Sequence, residues 1–113
     1  MTLFEREFHR MSQEVHQLAR DKGWYDGTQR TPLELLMLVV GEVAEASECV
    51  RNGEKFWHLN AYEKPEGELA ELADVVIRVM DICASRGWDL GWAIEKKHEF
   101  NKSRPYRHGG KVL

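Results

Sequence analysis

The stretch "EGELAELADVVIRVMDICASR", residues 66–86, is apolar around most of a helical circumference, with Leu69, Leu72, Val76, Val79 and Cys83 joined by Ala73, Ile77, Met80 and Ala84. Such a helix is central in its fold or sits at an interface between copies. Its polar exceptions, Glu71, Asp74, Arg78, Asp81 and Ser85, recur every three or four residues and form one narrow stripe. The rest of the chain follows the same period. Phe4, Phe8, Met11, Val15 and Leu18 step along one face and predict a first helix over about residues 3–22. In "TPLE", Thr31 is a cap, Pro32 fits the first helical position and Glu34 stands three beyond the cap, so a second helix should run from Pro32 to about Arg51. Asn52 and Gly53 end it. Gly87 closes the helix over 66–86, and a last helix is expected from Asp89 to about Asn101. Residues 54–65 are less regular, with "KFWHLNAY" making a short helix inside a connection. No β-alternation, repeat or low-complexity tract interrupts this pattern. The expectation is an all-α chain, a four- to five-helix bundle in one domain over residues 1–113, of which 102–113 form a basic C-terminal tail.

Composition excludes several functions. The formal net charge of −3 argues against a duplex-DNA binder, which needs a basic excess to meet phosphate, but leaves a small anionic ligand open. Cys49 and Cys83 make no C-x-x-C, so neither a zinc cluster nor a disulfide framework is indicated. The start, "MTLFEREFHRM", lacks an apolar signal core and no later run approaches bilayer-spanning length, which points to the cytoplasm and away from membranes.

The candidate chemistry lies in the acids. "GEVAEASE", residues 41–48, follows the apolar "LELLMLVV" directly and puts Glu42 and Glu45 on one side of the second helix. Glu71 and Asp74 repeat that spacing on the third. If the two helices are antiparallel neighbours, four carboxylates face one another, which repulsion and desolvation penalise unless cations sit between them. Carboxylate-only ligands select hard ions, magnesium first and manganese second. E-x-x-E is also common on solvated helix faces. A di-iron bundle would need E-x-x-H on two helices, and Glu95 with His98 is the single match, read as a surface pair. In the last helix, Lys97, Asn101 and Arg104 fall in line with Leu90, Ala93 and Ile94 and should point inward, where they suit phosphate oxygens. The plainer reading has Lys97 snorkel and the tail stay solvated. Lys102, Arg107, His108 and Lys111 extend the basic character. Trp24 and Tyr25, and Phe56 and Trp57, could stack on a base or serve as core anchors, while Trp88 and Trp92 read as packing residues.

"LLMLVVGEVAEASE", "ELAELADVVI" and "KHEFNKSRPYRHGGK" together resemble the MazG-type nucleotide pyrophosphohydrolases of the all-α nucleoside triphosphate pyrophosphatase superfamily, over roughly residues 18–111. That family carries an E-E-x-x-E segment, a later E-x-x-D and then K-x-x-x-N-x-x-R. The resemblance implies that Glu42, Glu45, Glu71 and Asp74 bind magnesium and that Lys97, Asn101 and Arg104 approach substrate phosphates, with aromatic contacts such as Trp24 and Trp57 near the base; Lys102, beside Asn101, is a further substrate-binding candidate. It implies a catalytic role for Glu42, Glu45 and Lys97 in cleaving an NTP or dNTP to a monophosphate and pyrophosphate, as in nucleotide-pool sanitation. Gly41 replaces the first glutamate of the full motif, as in the smaller dCTP-pyrophosphatase-like branch, which leaves Glu45 and Glu48 both open as general base. Glu68 with Glu71 is a second E-x-x-E, but Glu71 with Asp74 continues the polar stripe and is preferred. The apolar third helix and the family both point to a homodimer or homotetramer. A catalytically silent helical interaction module and a phosphoribosyl-ATP pyrophosphatase are the alternatives.

Overall fold

The computed structural model describes residues 1–106 and is all-helical apart from one minimal ribbon. Its elements are α1 (Leu3–Asp21), α2 (Pro32–Arg51), β1 (His58–Leu59), β2 (Pro65–Glu66), α3 (Glu68–Ser85) and α4 (Leu90–Lys102). The helix starts follow the local chemistry. Thr31 accepts from the Glu34 amide while the Glu34 carboxylate accepts from the Thr31 amide, a complete capping box with Pro32 at the first position. Thr2 and Asp89 cap α1 and α4 through their side-chain oxygens. Among the described residues, no helix is long and apolar enough to cross a membrane.

The bundle is built on α3. It packs against α2 along one side and α1 along another, while α1 and α2 do not touch each other; α4 rests on α1 and has a smaller contact with α3. The α2–α3 pair is antiparallel, since Glu42 meets Arg78 while Glu45 lies beside Glu71. A cleft is left between α1 and α2, floored by α3.

The connection between α2 and α3 departs from the expected short helix. His58 pairs with Glu66 and Leu59 with Pro65 in an antiparallel ribbon. The Asn60 side chain accepts the amides of Tyr62 and Lys64, and Glu63 takes a positive φ of 61°, so side-chain hydrogen bonding turns the chain where a helix would have needed those amides. At the base of the ribbon Gly67 has φ 108°, and a Cβ there would lie 2.4 Å from the Lys55 carbonyl oxygen. Only glycine fits that approach.

Among the described residues few side chains are buried: Ala46, Cys49, Ala70, Met80 and Ile82 make the apolar core, and Ser12 of α1 is buried with its hydroxyl donating to the Phe8 carbonyl. Leu33, Leu36, Met37, Val40 and Val43 of α2 and Leu69, Leu72 and Val76 of α3 stand exposed at helical spacing. Trp88 and Trp92, expected as packing residues, are 57% and 50% exposed and lie under the cations of Arg86 and Lys96. Arg107, His108 and Lys111 lie outside the described residues.

Candidate metal centre and adjoining cavity

Antiparallel packing of α2 on α3 brings the two acidic pairs to one seam. One carboxylate oxygen from each of Glu42, Glu45 and Glu71 lies within 4.8 Å of the others. Glu42 and Glu71 are half-buried and Glu45 is exposed, so the cluster is open on one side. Glu71 Oε2 is sealed from solvent and has no hydrogen-bond partner, an arrangement that ordinarily costs a folded protein about 1–3 kcal/mol. Burial, then a hydrogen bond between the Glu71 and Glu45 carboxyl groups and the Glu45 charge, push the Glu71 carboxyl up to about 7, with Asp74 and Glu42 acting in the same direction. Asp74, exposed at the edge, is also raised, by desolvation and then by the Glu42 charge, against the opposing pull of Arg78. The seam therefore holds more negative charge than its surroundings neutralise. Among the described residues, the cation that forms an ion pair there is Arg78, whose Nε donates to Glu42 Oε1 at 2.9 Å, while the Lys64 charge acts on Asp74 more weakly than Arg78 does.

The other candidate acids lie outside the cluster. Glu48 pairs with Arg51 at 2.6 Å on the α2 surface and does not join the cluster. Glu68 is exposed at the start of α3. Glu95 accepts from the Thr2 hydroxyl at 2.6 Å, and His98 is exposed, so that spacing match lies away from the seam.

The cleft between α1 and α2 widens into a cavity of about 360 Å³, within the size range of small-ligand sites. The loop before α2 closes it with Trp24, Tyr25 and Arg30, and α3 contributes Arg78 and Asp81. Both guanidinium groups lie over the Trp24 ring, Arg30 at 5.3 Å and Arg78 at 4.6 Å from its centre. Tyr25 donates to Asp81 Oδ2 and the His16 ring nitrogen meets Asp81 Oδ1, each at 2.8 Å, with the two rings packed edge to face. Burial and this hydrogen bond push the Tyr25 phenol up to about 12. Neither the Arg78–Glu42 pair nor the Tyr25–Asp81–His16 network was foreseen from sequence. The polar stripe holding Arg78 and Asp81 was the available signal.

The basic line on the last helix differs from expectation. Lys97 and Asn101 are exposed, and Lys97 and Arg104 flank the Phe100 ring at 5.6 and 5.9 Å. Lys97 and Asn101 do not point inward, because α4 lies on α1 and makes no contact with α2, whereas Arg104 is half-buried. Among the described residues, no ion pair joins Lys97, Lys102 or Arg104 to the carboxylate cluster; Lys102 pairs with Glu99. Trp57, 45% exposed, sits in the connection just before β1.

The donor set suits a hard divalent cation: carboxylate oxygens alone, open to solvent on the Glu45 side, with one oxygen lacking any donor. Among known proteins, no family model, no curated protein and no solved structure matches the chain.

Proposed function

We propose that this chain is a magnesium-dependent nucleoside triphosphate pyrophosphohydrolase, acting on an NTP or dNTP between the α and β phosphates to release a monophosphate and pyrophosphate. The observation that carries the reading is Glu71 Oε2, a sealed carboxylate oxygen with no donor at the meeting point of three acids, next to a cavity walled by an aromatic ring and guanidinium groups. The resemblance in the acidic segments and in the K-x-x-x-N-x-x-R run supports it.

Glu42, Glu45 and Glu71 would hold the ion with Asp74 at the rim, magnesium being the first choice and manganese the second. A bound ion of this kind supplies charge neutralisation on phosphoryl oxygens and acidifies an attacking water. Glu45 is the better general base: it is the exposed member of the cluster, whereas Glu48 is committed to Arg51. Its carboxylate takes the proton of the water that attacks phosphorus, and pyrophosphate departs. Trp24, in the cavity wall, is the aromatic that would contact a base. Trp57 is the second aromatic within this reading.

The enzyme acts as a homodimer or homotetramer. The chain exposes 8823 Å², against about 6,400 Å² for a compact monomer of its 13.2 kDa mass. The uncovered leucines and valines of α2 and α3 are the surfaces a second copy would bury. Lys97, Asn101, Lys102 and Arg104, turned away from their own chain's carboxylates, then meet phosphates at the site of a neighbouring copy.

The test is incubation of the protein with a panel of ordinary and modified nucleoside triphosphates and magnesium, separating monophosphate, diphosphate, pyrophosphate and phosphate. Monophosphate with pyrophosphate is expected. Diphosphate with phosphate would remove the α,β-cleavage, and no turnover of any triphosphate would favour a silent module.

A further inference from the structure

Arg78 belongs to both features of the seam at once. Its Nε holds Glu42, its guanidinium carbon lies 4.6 Å from the centre of the Trp24 ring, and it lines the 360 Å³ cavity. The Arg78 and Glu42 side chains are only 25% and 14% exposed, so this is not a loose surface pair that solvent screens away. Every other carboxylate at the seam lacks a comparable partner: the structure gives Glu45, Glu71 and Asp74 no ion pair among the described residues. Among the described residues, one ion-paired cation thus serves the acids of the seam, and that cation also lines the cavity.

A guanidinium on Glu42 and a divalent cation in the same cluster compete for the same charge. Like-sign repulsion between them adds to that competition. A guanidinium cannot relieve the conflict by losing its proton, as a lysine could, so it must move or weaken its hold. Trp24 gives it somewhere to go, since the planar group already lies over the ring and can slide along it with the stacking kept.

We infer that Arg78 is a resident counter-ion at Glu42 that a divalent cation displaces, and that its release presents the guanidinium to an anionic ligand in the cavity. This rests on the carboxylate cluster being a metal site. Arg78 is then a positioning residue that couples two ligands: the metal frees the arginine for the anion, and by reciprocity the anion draws the arginine off Glu42 and tightens the metal.

The experiment is calorimetric titration of magnesium into the intact protein and its Arg78→Gln, Arg78→Met and Arg78→Lys variants, with tryptophan emission followed in parallel. Arg78→Gln and Arg78→Met should bind magnesium more tightly than the parent by about fivefold or more, the lower end of ordinary coupling between sites. Arg78→Lys, which restores a competing cation, should return towards the parent. Magnesium should change the emission of the parent, and Trp24→Phe and Arg78→Gln should each lose that change. A nucleoside monophosphate should tighten magnesium binding to the parent and not to Arg78→Met. Equal or weaker magnesium binding by both neutral variants, with the parent still binding, would overturn the inference while leaving the metal site intact. Absence of magnesium binding by the parent, unchanged in Glu71→Gln, would remove the site and the inference together.

Discussion

Glu71 and Asp81 sit on the same stripe of α3, ten residues apart, and the fold treats them in opposite ways. Asp81 faces α1 and the loop before α2, where Tyr25 and His16 each supply a partner at 2.8 Å. Glu71 faces α2, where its neighbours are more carboxylates and one of its oxygens meets nothing. A polar group with its partners in place is a structural element, complete in the protein alone. One without partners, among like charges, is where the proposed metal would be held. The difference separates the scaffold of this molecule from its proposed chemistry more sharply than composition or burial can.

That contrast can be broken by experiment. The largest effect is expected in turnover: Glu71→Gln should lower magnesium-dependent hydrolysis by about two orders of magnitude or more, since even partners of metal ligands cost 10- to 100-fold. The metal-free variant should melt no lower than the parent, because repulsion is relieved. Asp81→Ala should do the reverse in thermal melts, losing about 1–3 kcal/mol as the Tyr25 and His16 partners are stranded, while magnesium still raises the melting temperature. If Asp81→Ala abolished the magnesium response and Glu71→Gln kept it, the roles assigned to the two acids would be interchanged.

A smaller effect concerns pH. The Glu71 carboxyl is raised from 4.5 to about 7 in the fold, so the folded state holds a proton that the unfolded chain has released. Its contribution to stability is present at low pH and is lost as pH rises through about 7. The metal-free parent should therefore gain stability relative to Glu71→Gln as pH falls from 8 to 5, and magnesium should suppress the gain at the upper end. A flat difference curve from differential scanning calorimetry would place Glu71 outside the repulsive cluster. The smallest effect is at Gly41, next to the acids, where an added Cβ meets nothing within 4 Å. Gly41→Ala should stabilise α2 by about 0.5–1 kcal/mol and leave the magnesium response unchanged, separating the charge of the seam from the stiffness of its backbone.

Much of this was legible in the chain because it is local. The cap at Thr31, the proline after it and the 3.6-residue period of the apolar positions act within one or two turns, and the observed α2 has the expected ends. The convergence of Glu42, Glu45 and Glu71 followed from the same period plus one assumption, antiparallel neighbours. What depended on the placement of whole helices was not legible. Lys97, Asn101 and Arg104 share a line on α4, but whether that line faces α2 is decided by α4 docking on α1, which no spacing within α4 records. The ribbon at residues 58–66 was hidden for a different reason: Asn60 turns the chain by capturing two amides, and a lone asparagine among aromatics carries no periodic signal. Arg78 lay in plain view on the stripe, yet its dual contact with Glu42 and Trp24 exists only once three segments are assembled.

The close passage of Gly67 under the Lys55 carbonyl reaches further than the ribbon it supports. The amide of Glu71 bonds to the Gly67 carbonyl, so the first turn of α3 starts from that contact and sets the rotational phase at which Glu71, and then Asp74 and Arg78, arrive opposite α2. The alignment of the acids is thereby gauged by two backbones touching, at a place with no titratable atom. Keeping the proposed chemistry then requires a hydrogen atom at residue 67, where any other residue would put carbon.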